Sequence, residues 1–177
     1  THCRRGGATT VPRIRLSSSR SLRHVDEPTD LARSHAANYP RAVPRIEIAP
    51  SVLPADFSKL GEEVAALEAA GVDRIQWDVM DGQFVPNLTF GPDVIAATRR
   101  HTTLPFEAHL MVLTPDNMAA QYIDAGCERL IVHAEACLHL HRTLGNIAAL
   151  GGKASVALNP STPVSAVEHV LDLVDMV

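Results

Sequence analysis

From Ile46 onward, short runs rich in β-branched and apolar residues alternate with longer stretches whose apolar positions recur every three or four residues. A period of two predicts strands and a period near 3.6 predicts amphipathic helices. Strands are expected over residues 46–53, 74–80, 106–112, 129–135 and 153–159, with 175–177 reading as the opening of a sixth. Asp56 is placed to cap a helix whose apolar stripe is Leu60, Val64 and Leu67 and which Gly71 ends. Pro92 suits the first turn of a helix running to about Arg100, and Pro115 and Asp116 open another that stops at Gly126. A helix over residues 138–150 ends at Gly151 and Gly152, and Pro163 opens one more.

The words Ala-Gly-Val-Asp-Arg-Ile, Ala-Gly-Cys-Glu-Arg-Leu and Gly-Gly-Lys-Ala-Ser-Val at 70–75, 125–130 and 151–156 echo one another, as successive βα units would. Strands alternating with helices imply a parallel sheet with right-handed crossovers. Within each strand one face is apolar. Ile75, Trp77 and Val79 lie opposite Gln76, Asp78 and Met80; Phe106, Ala108 and Leu110 opposite Glu107, His109 and Met111; Leu130, Val132 and Ala134 opposite Ile131, His133 and Glu135. An apolar outside under helices and a chemical inside is the division a barrel produces. A doubly wound sheet is the second candidate, but Ser51–Asp56 lacks the Gly-x-Gly-x-x-Gly that follows the first strand of a dinucleotide fold. The expected fold is therefore α/β, a (β/α)8 TIM barrel. Counted from Ile46 it is truncated after about five and a half βα units, since eight need about 250 residues.

Composition refines this in three ways. The chain has 177 residues, 46% of them hydrophobic, and no run of about 18 apolar residues that could span a bilayer. Its charge is divided: residues 1–45 carry nine Arg against three acids, and residues 46–177 carry seven Lys or Arg against seventeen acids. The acidic part argues against nucleic acid as a partner, and with no such apolar run no membrane partner is expected either. Residues 1–45 have no apolar periodicity and hold a serine cluster at Ser17–Ser19 and Ser21, so a disordered or targeting-like extension is expected there. A cytoplasmic location is the first expectation, with organelle targeting by residues 1–45 as the alternative. Cys127 and Cys137 read as small hydrophobes in a reducing compartment.

Near the C-terminal ends of the expected strands the inward residues are Ser51, Gln76, Asp78, Met80, His109, Met111, His133, Glu135 and Asn159. Taken singly, a strand His is usually a hydrogen-bonded core residue and a Met is usually filler. Their convergence on one barrel mouth makes Asp78 the first candidate for acid–base chemistry.

Four words then carry a resemblance: Pro-Ser-Val-Leu-Pro-Ala-Asp-Phe at 50–57, Trp-Asp-Val-Met-Asp-Gly-Gln-Phe-Val-Pro-Asn-Leu-Thr-Phe-Gly at 77–91, Glu-Ala-His-Leu-Met-Val at 107–112 and Val-His-Ala-Glu at 132–135. From about Ile46 the chain resembles the ribulose-phosphate 3-epimerase family of (β/α)8 barrels. The resemblance implies epimerisation at C3 of D-ribulose 5-phosphate to D-xylulose 5-phosphate, an isomerase reaction of pentose phosphate metabolism. It also implies one divalent metal per chain (zinc, manganese, iron or cobalt) and a habit of forming homo-oligomers. Carried over residue by residue, Asp78 is the catalytic acid–base and a metal ligand, and His109 is a ligand beside the substrate. Ser51, Met80 and Met111 line the substrate. Gln76 stands where the family has a metal-ligating histidine, and an amide is a poor zinc ligand. The family's second catalytic Asp and phosphate loops belong to the seventh and eighth strands. Two alternatives accompany the reading: a related ketose-phosphate 3-epimerase, such as one acting on allulose 6-phosphate, and an inactive fragment or scaffold. For Asp78 the expectation is a pKa raised by burial, with Met80 and Met111 supplying the apolar surroundings.

Overall fold

The computed structural model describes residues 45–177, so the extension expected over residues 1–45 lies, but for Arg45, outside the described residues. Four parallel strands, β1 (Ile75–Met80), β2 (Phe106–Met111), β3 (Cys127–His133) and β4 (Lys153–Ala157), are hydrogen-bonded in the order of the chain. Helix α1 (Leu60–Ala69) precedes β1, and α2 (Pro92–Thr98), α3 (Ala119–Asp124) and α4 (Leu140–Ala149) fill the three crossovers. Single parallel bridges extend the series at both edges, Ser51 beside Gln76 and Met176 beside Ser155. A doubly wound sheet reverses its strand order at a switch point. No reversal occurs here, and the α/β architecture is that of an arc of a TIM barrel.

Asp56 and Gly126 act where they were expected, whereas Pro115 and Asp116 open only a 3-10 turn (Pro115–Asn117) ahead of α3, and β3 begins at Cys127, two residues before the expected start. The Asp56 carboxylate accepts from the Ser58 N–H at 3.0 Å and starts a 3-10 turn (Phe57–Lys59) that runs into α1. Gly126 adopts a φ of 99° directly after α3, a conformation that costs an L side chain energy and glycine almost none. On the outer face of the sheet Ile75, Trp77, Phe106, Leu110, Leu130 and Val132 are fully or almost fully buried against Val64, Ile95, Tyr122, Leu144 and Ile147. Trp77 meets the rings of Phe90 and Phe106 edge-on, with centroids 5.3 Å away in both cases.

Several expectations are corrected. Residues 46–53 make one bridge rather than a strand, because Pro50 has no N–H. Arg74 donates to the Ile48 carbonyl at 3.2 Å, but the return bond, from residue 50 to the Arg74 carbonyl, has no donor. Residues 175–177 likewise supply one bridge, held by Asp175 N to Ala154 O and Val156 N to Met176 O. The helix expected from Pro163 is a 3-10 turn (Val164–Val167), in a segment where Val164, Ser165, Val167 and Val170 are all weak helix formers. β3 ends at His133, so Glu135 sits on the following 3-10 turn (Ala134–Ala136), and Asn159 lies beyond the end of β4.

At the N-terminal ends of the strands the inner face is ionic. Glu107 is 2% exposed, and its Oε2 accepts from Arg74 Nε at 3.1 Å and Arg129 Nη1 at 3.0 Å. Arg74 also approaches Glu128 at 3.4 Å. This ionic layer lies at the end opposite the Asp78 pocket.

Candidate active site

Parallel pairing places in-register residues side by side on one face of the sheet. β1 and β2 are registered so that Asp78 pairs with His109 and Met80 with Met111. The Ser51–Gln76 bridge brings Ser51 to the other side of β1. Three side chains consequently converge on one carboxylate. Ser51 Oγ donates a short hydrogen bond to Asp78 Oδ2, Gln76 Nε2 donates to Oδ1 at 2.9 Å, and His109 Nδ1 lies 3.1 Å from the same oxygen. Ser51 is oriented in turn by the Leu53 N–H at 3.1 Å.

The backbone beneath Asp78 is held by the loop that follows it. Thr89 donates its hydroxyl to the Asp78 carbonyl at 2.7 Å and accepts from the Met80 N–H at 2.9 Å. Asp81 folds the same loop, accepting from Gln83 N and Phe84 N at 2.8 Å each and from Leu113 N, beyond β2, at 2.9 Å. Phe84 is thereby brought to 4.7 Å from the His133 ring.

A chain of side chains runs on from His109. Its Nε2 is 2.9 Å from His133 Nε2, and the two rings are near-parallel at 22°. His133 Nδ1 faces Glu135 Oε2 at 3.5 Å, a separation too long for a hydrogen bond. Glu135 is fixed by the Asn159 N–H at 2.7 Å and by the Thr162 hydroxyl.

Burial pulls the Asp78 carboxyl upward, but the hydrogen bonds from His109, Ser51 and Gln76, with the adjacent His109 charge, outweigh it and leave the pKa below the ordinary value of 3.8. The raised pKa expected from an apolar setting is therefore corrected: donors, not Met80 and Met111, decide this environment. Burial also lowers His133, and the neighbouring His109 lowers it further, which favours a neutral ring. Cys127 is pushed up to about 12 and Cys137 to about 11 by burial, so both are inert thiols, as the sequence suggested. A surface cavity lined by Pro92, Ala96, Gln121 and Ala125 lies between α2 and α3, away from this cluster.

All the expected inward residues from Ser51 to Asn159 are accounted for. Ser51, Gln76, Asp78 and His109 share one hydrogen-bonded cluster, and Met80 and Met111 are paired at its rim, both partly exposed. Sequence reasoning placed His133 and Glu135 at the mouth without giving them a partner, and it missed Thr89 and Asp81. Their work is to hold backbone that carries other side chains, which periodicity does not register.

The model of the ribulose-phosphate 3 epimerase family matches residues 47–177. The chain belongs to that family. It is 43% identical to the chloroplastic ribulose-5-phosphate-3-epimerase of Arabidopsis thaliana, over 96% of this chain and 64% of the relative. It is 52% identical to the ribulose-phosphate 3-epimerases of Rhodobacter capsulatus and Bacillus subtilis, in each case over 75% of this chain and 58% or 61% of the relative. The chain thus spans about six tenths of the length of these relatives. A mandelate oxidase crystal structure superposes with a TM-score of 0.45 at 20% identity over 59% of this chain and 40% of that one, too slight a likeness to bear on the site.

Members of this family are metal-dependent in general. A zinc centre requires three or four converging nitrogen, sulfur or carboxylate donors. Among the described residues no group of three His, Cys, Asp or Glu could hold an ion. Asp78 and His109 are two donors, and the third neighbour, Gln76, turns its amide nitrogen towards Asp78. By themselves the described donors do not make up a zinc centre.

Proposed function

We propose that this chain carries the proton-abstracting half of a ribulose-phosphate 3-epimerase site, with D-ribulose 5-phosphate as the sugar-phosphate substrate. The observation behind the reading is the Asp78 carboxylate, ionised by its donors and set at the C-terminal end of a barrel strand. The name of the relatives supplies the substrate.

In this reading Asp78 removes the proton from C3. The C–H electron pair moves into a C2–C3 double bond, and the C2 ketone oxygen becomes the oxyanion of an enediolate. Stabilising that oxygen calls for fixed donors. The Gln76 amide keeps a second N–H beyond the one it gives Asp78, and it is the proposed donor. Ser51 and His109 hold the carboxylate in place beside the substrate, and Met80 and Met111 pack against the reacting carbon. The ligand roles that the resemblance assigns to Asp78, His109 and Gln76 do not enter this scheme. Residues 46–177 are accordingly proposed as a ribulose-phosphate-binding domain with residues 1–45 as its extension.

Abstraction needs one base and is visible as exchange with solvent, whereas inversion to D-xylulose 5-phosphate also needs an acid on the opposite face of C3. Proton NMR of D-ribulose 5-phosphate in D2O with the 177-residue chain should show loss of the C3 signal. Asp78→Asn should slow that loss by about a thousandfold, within the range for one acid–base group. No exchange above the buffer rate, or a loss under about tenfold in the variant, would overturn the assignment. Faster exchange with a hexulose 6-phosphate would move the substrate to a longer sugar.

A further inference from the structure

Three features of the Asp78 pocket bear on its affinity for metal ions. Gln76 stands where the resemblance expects a histidine, and one N–H of its amide is engaged by Asp78 Oδ1 at 2.9 Å. His109 has no ring nitrogen to spare, since Nδ1 is 3.1 Å from Asp78 Oδ1 and Nε2 is 2.9 Å from His133 Nε2. His133 is itself confined by Phe84 at 4.7 Å and by Glu135, which the Asn159 N–H holds at 2.7 Å. A ligating histidine must aim a free lone pair at the ion while its other nitrogen is fixed by a partner. Here an ion would have to pull His109 away from Asp78 or from His133, leaving a buried polar group without a partner. In return it would gain an amide oxygen, a donor suited to hard cations and poor for zinc.

We infer that the Asp78 pocket of this chain excludes tight divalent-metal binding, and that the Gln76 amide and the His109–His133–Glu135 chain hold Asp78 where a metal would otherwise hold it. The inference shares its pocket with the proposed reaction but is read without substrate, so either can fail while the other stands.

The test is calorimetric titration of the 177-residue chain with zinc chloride and, separately, cobalt(II) chloride, followed also by visible absorption of the cobalt. The same titrations are run on Q76H, D78N and the double variant Q76H/D78N. The expected result is that wild type shows no micromolar site that D78N removes; zinc uptake unchanged by D78N lies elsewhere on the chain and agrees with the inference. Q76H should create a site, absent from Q76H/D78N, that binds about 10–100-fold tighter than any site in wild type, with histidine-type cobalt bands. A D78N-sensitive micromolar zinc site in wild type would overturn the inference, as would a folded Q76H with no gain in affinity. If Q76H fails to fold, nitrogen-15 NMR of the wild-type histidine rings decides the matter. His109 and His133 signals unmoved by zinc support the inference, and signals shifted or broadened at equimolar zinc refute it.

Discussion

At the scale of single residues, Asp78 shows how donors can overrule burial. An apolar pocket alone would raise its pKa, but three side-chain hydrogen bonds stabilise the charged form and lower it. The stability that follows has a definite sign. Because the folded pKa lies below 3.8, the unfolded chain takes up this proton first as the pH falls. The contribution of Asp78 is complete above about pH 4 and is lost as the pH drops through the lowered value. In Asp78→Asn the melting temperature should therefore fall less steeply between about pH 4 and pH 2 than in wild type. Thermal unfolding followed by circular dichroism across that range checks this, and parallel acid limbs would show that Asp78 is not stabilised as a carboxylate. The inward placement of Asp78 was legible from alternation along 74–80. Its ionisation was not, because the donors come from residues 27 and 31 positions away as well as from Gln76 on its own strand.

Among elements, the strands and helices with strong periodicity formed where expected, while the weak ones were decided by backbone chemistry. β1 and β2 match the alternation to within a residue at each end. Residues 46–53 carry the same apolar content but stop at one bridge, since a single missing N–H at Pro50 interrupts the parallel ladder. The ionic layer beneath the site tests how far the strands depend on one buried acid. Glu107 is paired to both Arg74 and Arg129, so Glu107→Ala leaves two guanidinium groups poorly compensated in the interior. Breaking a buried pair costs roughly 3–5 kcal/mol, and Glu128 beside Arg74 places the expected loss at the lower end. Urea unfolding should show a drop of about 3 kcal/mol at unchanged slope. A loss within about 0.5 kcal/mol, typical of a surface substitution, would mean that the layer is solvated.

For the whole molecule, charge is divided between a basic segment over residues 1–45 and an acidic remainder. The alignment with the chloroplastic relative takes in 96% of the chain, which includes most of the Arg- and Ser-rich residues 1–45. That composition, poor in acids, is the kind organelle transit segments use. No helix among the described residues is long and apolar enough to cross a membrane. Read alone, the sequence determined the α/β class, the positions of the strongly periodic elements, the family and the cluster of candidate residues, because alternation, helix stripes and motif words are local properties of the chain. Tertiary structure alone decided which of those residues meet. Register set Asp78 beside His109, the Ser51 bridge closed the other flank, and the loop from Asp81 to Thr89 fixed the backbone between them. Hydrogen-bond partners depend on distances between strands and loops that periodicity does not encode, and those distances make Asp78 an ionised carboxylate held by Ser51, Gln76 and His109.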